Sequence, residues 1–261
     1  MMGAGGTERM ARDREKIKRG IYLLPTTFTV ANLVAGFAAI IAISAGKVEF
    51  AALAIVAACI FDGLDGRVAR WTNTTSEFGA QFDSLADVVS FGVAPALLVL
   101  EWGLGSLGRI GWVIAGLYVV CAAMRLARFN IGSRRPDPRY TVGLPSPPPA
   151  ALLATGVLLL PQPKLDPAIA GVAIVTASLG LLMISHLRYR TFKDVDLRER
   201  RPFFYVLVLA SIVMVLTVEP RWMLFVISAV YAVSGPLIAV RRALLPMRRD
   251  EAWQGAADGR R

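Results

Sequence analysis

The chain has one histidine, His186, and two cysteines, Cys59 and Cys121, each inside an apolar run. Histidine-based proton transfer and His-rich metal sites therefore have little to work with. No cysteine spacing suggests a disulfide framework or a zinc site, and the two thiols read as small core residues. Charge is scarce as well. Only 18% of the 261 residues are charged, against 55% hydrophobic, too few to cover a soluble domain of this length. No fixed-period repeat is visible. No small-residue cleavage site follows the first apolar run, so the basic stretch holding Arg9, Arg12, Arg14, Lys16, Lys18 and Arg19 reads as a cytoplasmic tail rather than a cleaved signal.

What the chain does have is apolar residues in long blocks, with a mean hydropathy of +0.54. Blocks of this kind point to lipid rather than water as the solvent. Eight apolar segments are expected near 26–45, 49–69, 78–99, 107–128, 148–161, 167–185, 203–218 and 222–240. Most approach the ~20 residues that span a bilayer core. The fifth is short and lies between Pro149 and Pro161. The expected fold is all-α, a polytopic membrane helix bundle of about eight transmembrane helices with both termini cytoplasmic. Residues 1–22 form the basic tail, 23–242 the membrane domain, and 243–261 a second tail expected to be disordered.

The formal net charge is +10, and its placement argues against nucleic acid as the partner. With alternating spans and an inner N-terminus, all Lys and Arg fall on the inner side except Lys47, Arg109, Lys164 and Arg221. This is the asymmetry of the positive-inside rule. It explains the basic pI by topology and by anionic headgroups of membrane lipids, and it sets the protein in the cell membrane.

Acids inside or at the edge of a membrane are costly and usually functional. Four cluster here. Asp62 and Asp65 lie in Asp62-Gly63-Leu64-Asp65-Gly66-Arg67-Val68-Ala69-Arg70, and Gly79, Asp83 and Asp87 follow on the next segment. Asp62 and Asp65 are i, i+3 and share a helix face; Gly79, Asp83 and Asp87 are i, i+4, i+8 and form a stripe. Two antiparallel helices joined by a short loop bring those faces together. Four carboxylates in one pocket repel each other unless cations or protons neutralise them. Oxygen-only ligation suits Mg²⁺ or Mn²⁺, and four carboxylates suggest two ions. Gly63, Gly66 and Gly79 permit close approach of a ligand or of a facing helix. Arg67 and Arg70 stand where they would neutralise a diphosphate.

The pattern D-x-x-D-G-x-x-A-R, eight residues, G-x-x-x-D-x-x-x-D resembles the signature of the CDP-alcohol phosphatidyltransferase family and matches it at every specified position from Asp62 to Asp87. The resemblance implies roles. Asp62, Asp65 and Asp83 would ligate the metal pair, and Asp87 would be both a ligand and the general base. Gly66, Arg70 and Gly79 would lie near the cytidine diphosphate. Homodimers are expected from the same likeness. The active site would face the cytoplasm.

Three stretches bear on the acceptor: Val88-Val89-Ser90-Phe91-Gly92-Val93-Ala94-Pro95-Ala96, Arg125-Leu126-Ala127-Arg128-Phe129-Asn130 and Gly143-Leu144-Pro145-Ser146-Pro147-Pro148-Pro149-Ala150. All three resemble the phosphatidylserine synthase branch. The implied reaction transfers a phosphatidyl group from CDP-diacylglycerol to L-serine. Arg125 and Arg128, i, i+3 on one face, are candidates for the serine carboxylate or the lipid diphosphate, with Asn130 adding a hydrogen bond; the alternative is ordinary positive-inside placement. The run from Pro145 to Pro149 is either part of the site or a stiff lead-in to the fifth helix. Asn32, with Thr26, Thr27 and Thr29 below it, would contact the nucleotide or hydrogen-bond a neighbouring helix. Glycerol 3-phosphate or inositol phosphate is the alternative acceptor, kept open by Arg188, Arg190 and Lys193. An ether-lipid donor is another alternative. A divalent-cation transporter is the alternative of a different class, disfavoured by the apolar run from Ser90 to Leu100.

Overall fold

The computed structural model describes residues 26–72, 76–132, 140–160, 162, 166–190 and 220–244. The chain is mostly helical. Helix α1 (Thr26–Ser44) ends in a turn dictated by Gly46, whose φ is +70°. The Lys47 N–H reaches the Ala42 carbonyl at 2.8 Å and the Gly46 N–H reaches Ile43 at 2.9 Å. This pairing satisfies the last carbonyls of the helix and needs a left-handed residue, which glycine supplies without steric cost. The chain then reverses directly into α2 (Val48–Thr72).

Ser76 opens the next helix, α3 (Glu77–Asp87), its hydroxyl accepting from the Gly79 N–H. A widened π-helical turn, Val88–Val93, leads into α4 (Ala94–Trp102). A short 3₁₀ turn (Leu104–Leu107) precedes α5 (Arg109–Gly132). Helix α6 (Pro147–Leu159) starts on three consecutive prolines, which suit a first turn whose N–H groups have no helical partner. Helices α7 (Asp166–Ile184) and α8 (Pro220–Leu244) complete the described set.

Among the described residues, five helices are long and apolar enough to cross a membrane: Thr26–Ser44, Glu77–Trp102, Arg109–Ile131, Pro167–Ile184 and Arg221–Arg241. The protein is a multi-pass membrane protein. Two of the eight expected segments, 49–69 and 148–161, form helices that are not among those five. Helix α2 has the length but carries Glu49, Asp62, Asp65, Arg67 and Arg70. Helix α6 is 13 residues long. The expected segment at 203–218 lies outside the described residues, as do the tails 1–22 and 245–261.

The packing is that of helices in lipid, where small residues allow close backbone approach. One core cluster is built largely from alanines on α1, α2, α4 and α6, including Ala39, Ala51, Ala58, Ala94 and Ala154, around Ile55 and Phe91. A second gathers Tyr118, Cys121, Leu144, Met183 and Tyr189 between α5, α7 and α8. Large apolar side chains such as Phe37, Phe50, Trp112 and Ile174 point outward.

The sequence contains no signal for a strand, yet β1 (Tyr140–Val142) pairs antiparallel with β2 (Arg188–Arg190). The ladder closes through Gly143, φ +83°, whose N–H donates to the Leu187 carbonyl at 2.8 Å. Arg128 holds the same corner. Its guanidinium donates to the carbonyls of Ile184 (2.8 Å), Val142 (2.9 Å), Ser185 (3.2 Å) and Met183 (3.5 Å). These include carbonyls at the C-terminus of α7, which lack helical donors.

The contact that seats α1 on the π-turn is tighter still. A Cβ on Gly36 would overlap the Ser90 hydroxyl and lie 2.8 Å from the Ser90 Cα. Gly36→Val is therefore expected to lower the thermal midpoint in detergent, by an amount matching the ~1–3 kcal/mol cost of overpacking. A midpoint equal to that of the unsubstituted protein would show that α1 can move away freely.

Candidate active site

Helices α2 and α3 present their acids to one another, and α1 lies across them. One carboxylate oxygen from each of Asp62, Asp83 and Asp87 falls within 4.8 Å of the other two. Asp65 sits against Asp83 but outside that trio. The i, i+3 and i, i+4 spacings thus bring the four acids together as the sequence implies, with Asp65 displaced to one side. Asp65 and Asp87 are buried; Asp62 and Asp83 are half-buried.

Helix α1 supplies the neutral donors. The Thr29 hydroxyl donates to Asp65 Oδ2 at 3.2 Å, and Asn32 Nδ2 donates to Asp87 Oδ1 at 3.1 Å. Thr29 and Asn32 are one helical turn apart, so a single face of α1 serves both α2 and α3. Ser90, in the π-turn, donates to the Asn32 main-chain carbonyl at 2.9 Å, fixing the height of α1. Of the two readings open for Asn32, the structure supplies the helix-to-helix hydrogen bond.

Two buried acceptors are left without a hydrogen bond among the described residues: Asp83 Oδ1 and Asn32 Oδ1. A buried carboxylate oxygen with no donor is expensive, and beside two more carboxylates it is a ready-made cation ligand. The donor set is oxygen only, which fits a hard divalent cation. The residues present therefore suit Mg²⁺ or Mn²⁺.

The remaining expected residues divide. Gly66 lies on α2 directly after Asp65. Gly79 is in the first turn of α3, where a Cβ would meet only the Ser76 hydroxyl at 3.0 Å, and a Cβ on Gly63 would meet only Arg67 at 4.0 Å. Within 4 Å no other described atom stands at either position. The Arg70 side chain lies outside the described part. Arg125 turns toward the acids, within electrostatic reach of Asp62 and Asp87. It donates to the Ser146 hydroxyl at 2.9 Å and covers the Phe129 ring at 5.5 Å. Arg128 faces the other way, into the β1–β2 corner. Asn130 ties α5 to α3, accepting from Ser84 at 3.1 Å and donating to Gln81 at 3.2 Å. Ser146, fully buried, gives the proline run a site-facing contact beyond its helix-starting role. Its partnership with Arg125 spans 21 residues and has no local sequence signal.

Residues 22–189 match the CDP-alcohol phosphatidyltransferase family. The chain belongs to that family. It is therefore a transferase, and the matched segment includes the converging acids. Three relatives are all named CDP-diacylglycerol–serine O-phosphatidyltransferase. The protein of Helicobacter pylori (strain J99) is 41% identical over 204 residues, 76% of this chain and 84% of the relative. That of Mycobacterium leprae is 33% identical over 255 residues, 93% and 83% respectively. That of Methanocaldococcus jannaschii is 34% identical over 223 residues, 85% and 97%.

If this family member's trio is a cation site, Asp83→Asn should weaken Mn²⁺ binding in an EPR titration of detergent-solubilised protein. Asn32→Ala, which removes only an orienting hydrogen bond, should cost about 10–100-fold in affinity. Unchanged Mn²⁺ binding by Asp83→Asn would remove the trio as the site.

Proposed function

We propose that the protein transfers the phosphatidyl group from CDP-diacylglycerol to the hydroxyl of L-serine, releasing CMP and forming phosphatidylserine. The observation that carries this reading is the convergence of Asp62, Asp83 and Asp87 within 4.8 Å inside the segment that matches the family. Serine as acceptor is supported by the names of the bacterial and archaeal relatives.

In this reading Asp87 accepts the proton of the serine hydroxyl. The serine oxygen forms a bond to the phosphorus bearing the diacylglycerol, the bond from that phosphorus to the CMP oxygen breaks, and CMP leaves with the electron pair. Asn32, through its bond to Asp87 Oδ1, keeps the other carboxylate oxygen turned to the site. Divalent cations held by Asp62, Asp65, Asp83 and Asp87, two in number in this proposal, would neutralise the diphosphate and the charge developing on CMP. Gly66, Arg70 and Gly79 border the nucleotide, supported by the signature pattern they belong to and by the space at Gly63, where a Cβ would meet only Arg67 at 4.0 Å among the described residues. Arg125 receives the serine carboxylate, supported by its position beside Asp62 and Asp87 and by the Ser146 contact that orients it. Arg128 and Asn130, whose described donors are engaged with the main chain and with α3, hold the wall behind it.

The proposed setting is the cell membrane, with eight spans, both termini and the active site on the cytoplasmic side, and a homodimeric assembly. The distribution of Lys and Arg supports the orientation. A Lys47→Cys variant should react with an impermeant thiol reagent added outside intact cells; protection there with reaction from inside would invert the orientation. Cross-linking in native membranes should give a dimer band, and a monomer alone would remove the dimer.

The deciding experiment is CMP release from CDP-diacylglycerol with serine, glycerol 3-phosphate or inositol phosphate added in turn. Release should depend on serine. Release with a phosphorylated acceptor instead would replace serine, and no release with any acceptor would return the acids to a transport role. In the same assay Asp87→Asn should keep nucleotide binding and lose at least the ~100-fold typical of a missing general base. Near-normal turnover would take Asp87 out of the proton-accepting role.

A further inference from the structure

Two prolines interrupt helices of this bundle, and each interruption is met by a tyrosine from a neighbouring element. Pro95 stands in the first turn of α4. It lacks the N–H that in a regular α-helix would serve the carbonyl four residues back, Phe91. Tyr118, on α5 and fully buried, donates its hydroxyl to that same Phe91 carbonyl at 3.2 Å. Pro236 stands inside α8, and the carbonyl it would have served is Ala232. Tyr189, on β2 and fully buried, donates to that carbonyl at 3.1 Å. Its ring lies where a side chain on Gly235 would be. Burial, reinforced by Tyr231 beside it, pushes the Tyr189 phenol up to about 12, so it stays protonated and able to donate at physiological pH.

The first instance has a bearing on the chemistry. Phe91 belongs to the π-turn that begins immediately after Asp87. Within that turn the Ala94 N–H bonds the Val89 carbonyl, five residues back, and Pro95 has no N–H to return the ladder to α spacing. An unserved carbonyl at the α5 interface is costly in an apolar interior. Without the tyrosine, another backbone N–H, that of Ala96, could reach it only by rewinding the register so that it bonds five residues back, which would rotate Asp87 and Ser90 relative to the buried face of α4. Ser90 also fixes α1 through the Asn32 carbonyl, so rewinding would carry Asn32 off Asp87.

We propose that Tyr118 is a positioning residue for the transfer reaction: its hydroxyl substitutes for the backbone donor that Pro95 deletes, and so holds the widened turn that aims Asp87. The proposal rests on the reading of Asp87 as proton acceptor. It requires that the hydroxyl matter only while residue 95 is proline, because an alanine there restores an N–H to the Phe91 carbonyl.

The test is a double-mutant cycle of Tyr118→Phe and Pro95→Ala in the full-length protein, read by serine-dependent CMP release and by thermal midpoint. At a temperature well below every midpoint, Tyr118→Phe should lower kcat about tenfold or more, toward the ~100-fold that an ångström of misplacement costs. KM for serine and for CDP-diacylglycerol should change little. In the Pro95→Ala background the same tyrosine substitution should have a much smaller effect on both kcat and midpoint. An unchanged kcat in Tyr118→Phe overturns the proposal, as does an equal loss in the two backgrounds. A coupling seen in midpoint but absent from kcat also overturns it, reducing Tyr118 to a structural tie. Failure of the underlying reading shows separately, as turnover retained by Asp87→Asn.

Discussion

Mutual repulsion among carboxylates is the constraint around which this structure is arranged. Two unit charges at the 4.8 Å upper bound of the trio's separations, at an effective dielectric of about 20, repel by about 3–4 kcal/mol, and the trio contains three pairs at or inside that distance before Asp65 is added. Helices α2 and α3 cannot hold ionised acids face to face on packing alone. Neutral donors from α1 relieve part of the cost at Asp65 and Asp87. They leave Asp83 Oδ1 without a donor, and a cation is the chemical species that uses that oxygen best. The feature that makes the pocket unfavourable when empty of positive charge also suits it to a hard divalent cation.

The other polar contacts make mechanical sense in that light. Lipid supplies no hydrogen bonds, so every polar group in the bundle must find a partner within it. Arg128 serves carbonyls at the end of α7, Asn130 bridges α5 to α3, and Ser90 ties the π-turn to α1. Each spans elements far apart in sequence, and each borders the acids or the corner behind them. The polar half of the bundle is cross-braced there, whereas the core around Ile55 and Ala154 relies on small residues and close backbone approach.

This division also explains what could be read from the sequence. Hydropathy alone locates the described helices to within a few residues, because a spanning helix must be apolar along its length whatever it packs against. The Asp62–Asp87 signature locates the acids, because helical spacing is local. Long-range partnership is the part that could not be read. Arg125 and Arg128 are equivalent by spacing, yet one faces Asp62 and Asp87 and the other faces Met183, Ile184 and Ser185. The β1–β2 ladder is three residues long on each side, too short to register as alternation. The π-turn has no periodic mark, although Pro95 within an apolar run was a visible sign that the helix must depart from regularity.

The surroundings of the acids favour a lipid substrate over an ion in transit. Leu64 adjoins Asp65 on α2, and Phe78 and Leu85 flank the acid stripe on α3; all three are exposed, although their helices carry the most charge-dense part of the bundle. A conduction path would place polar residues along a line from one membrane face to the other. Along α3 and α4 no polar side chain lies between Ser90 and Glu101, and there Phe91, Ala94 and Leu98 are fully buried and apolar. A substrate with a charged head and two hydrocarbon tails has the opposite requirement: a closed, anion-tolerant end for the head and apolar helix surface beside it for the tails. With a divalent cation on them, the carboxylates braced by α1 would meet the first demand, and the outward-facing Leu64, Phe78 and Leu85 on the same two helices meet the second.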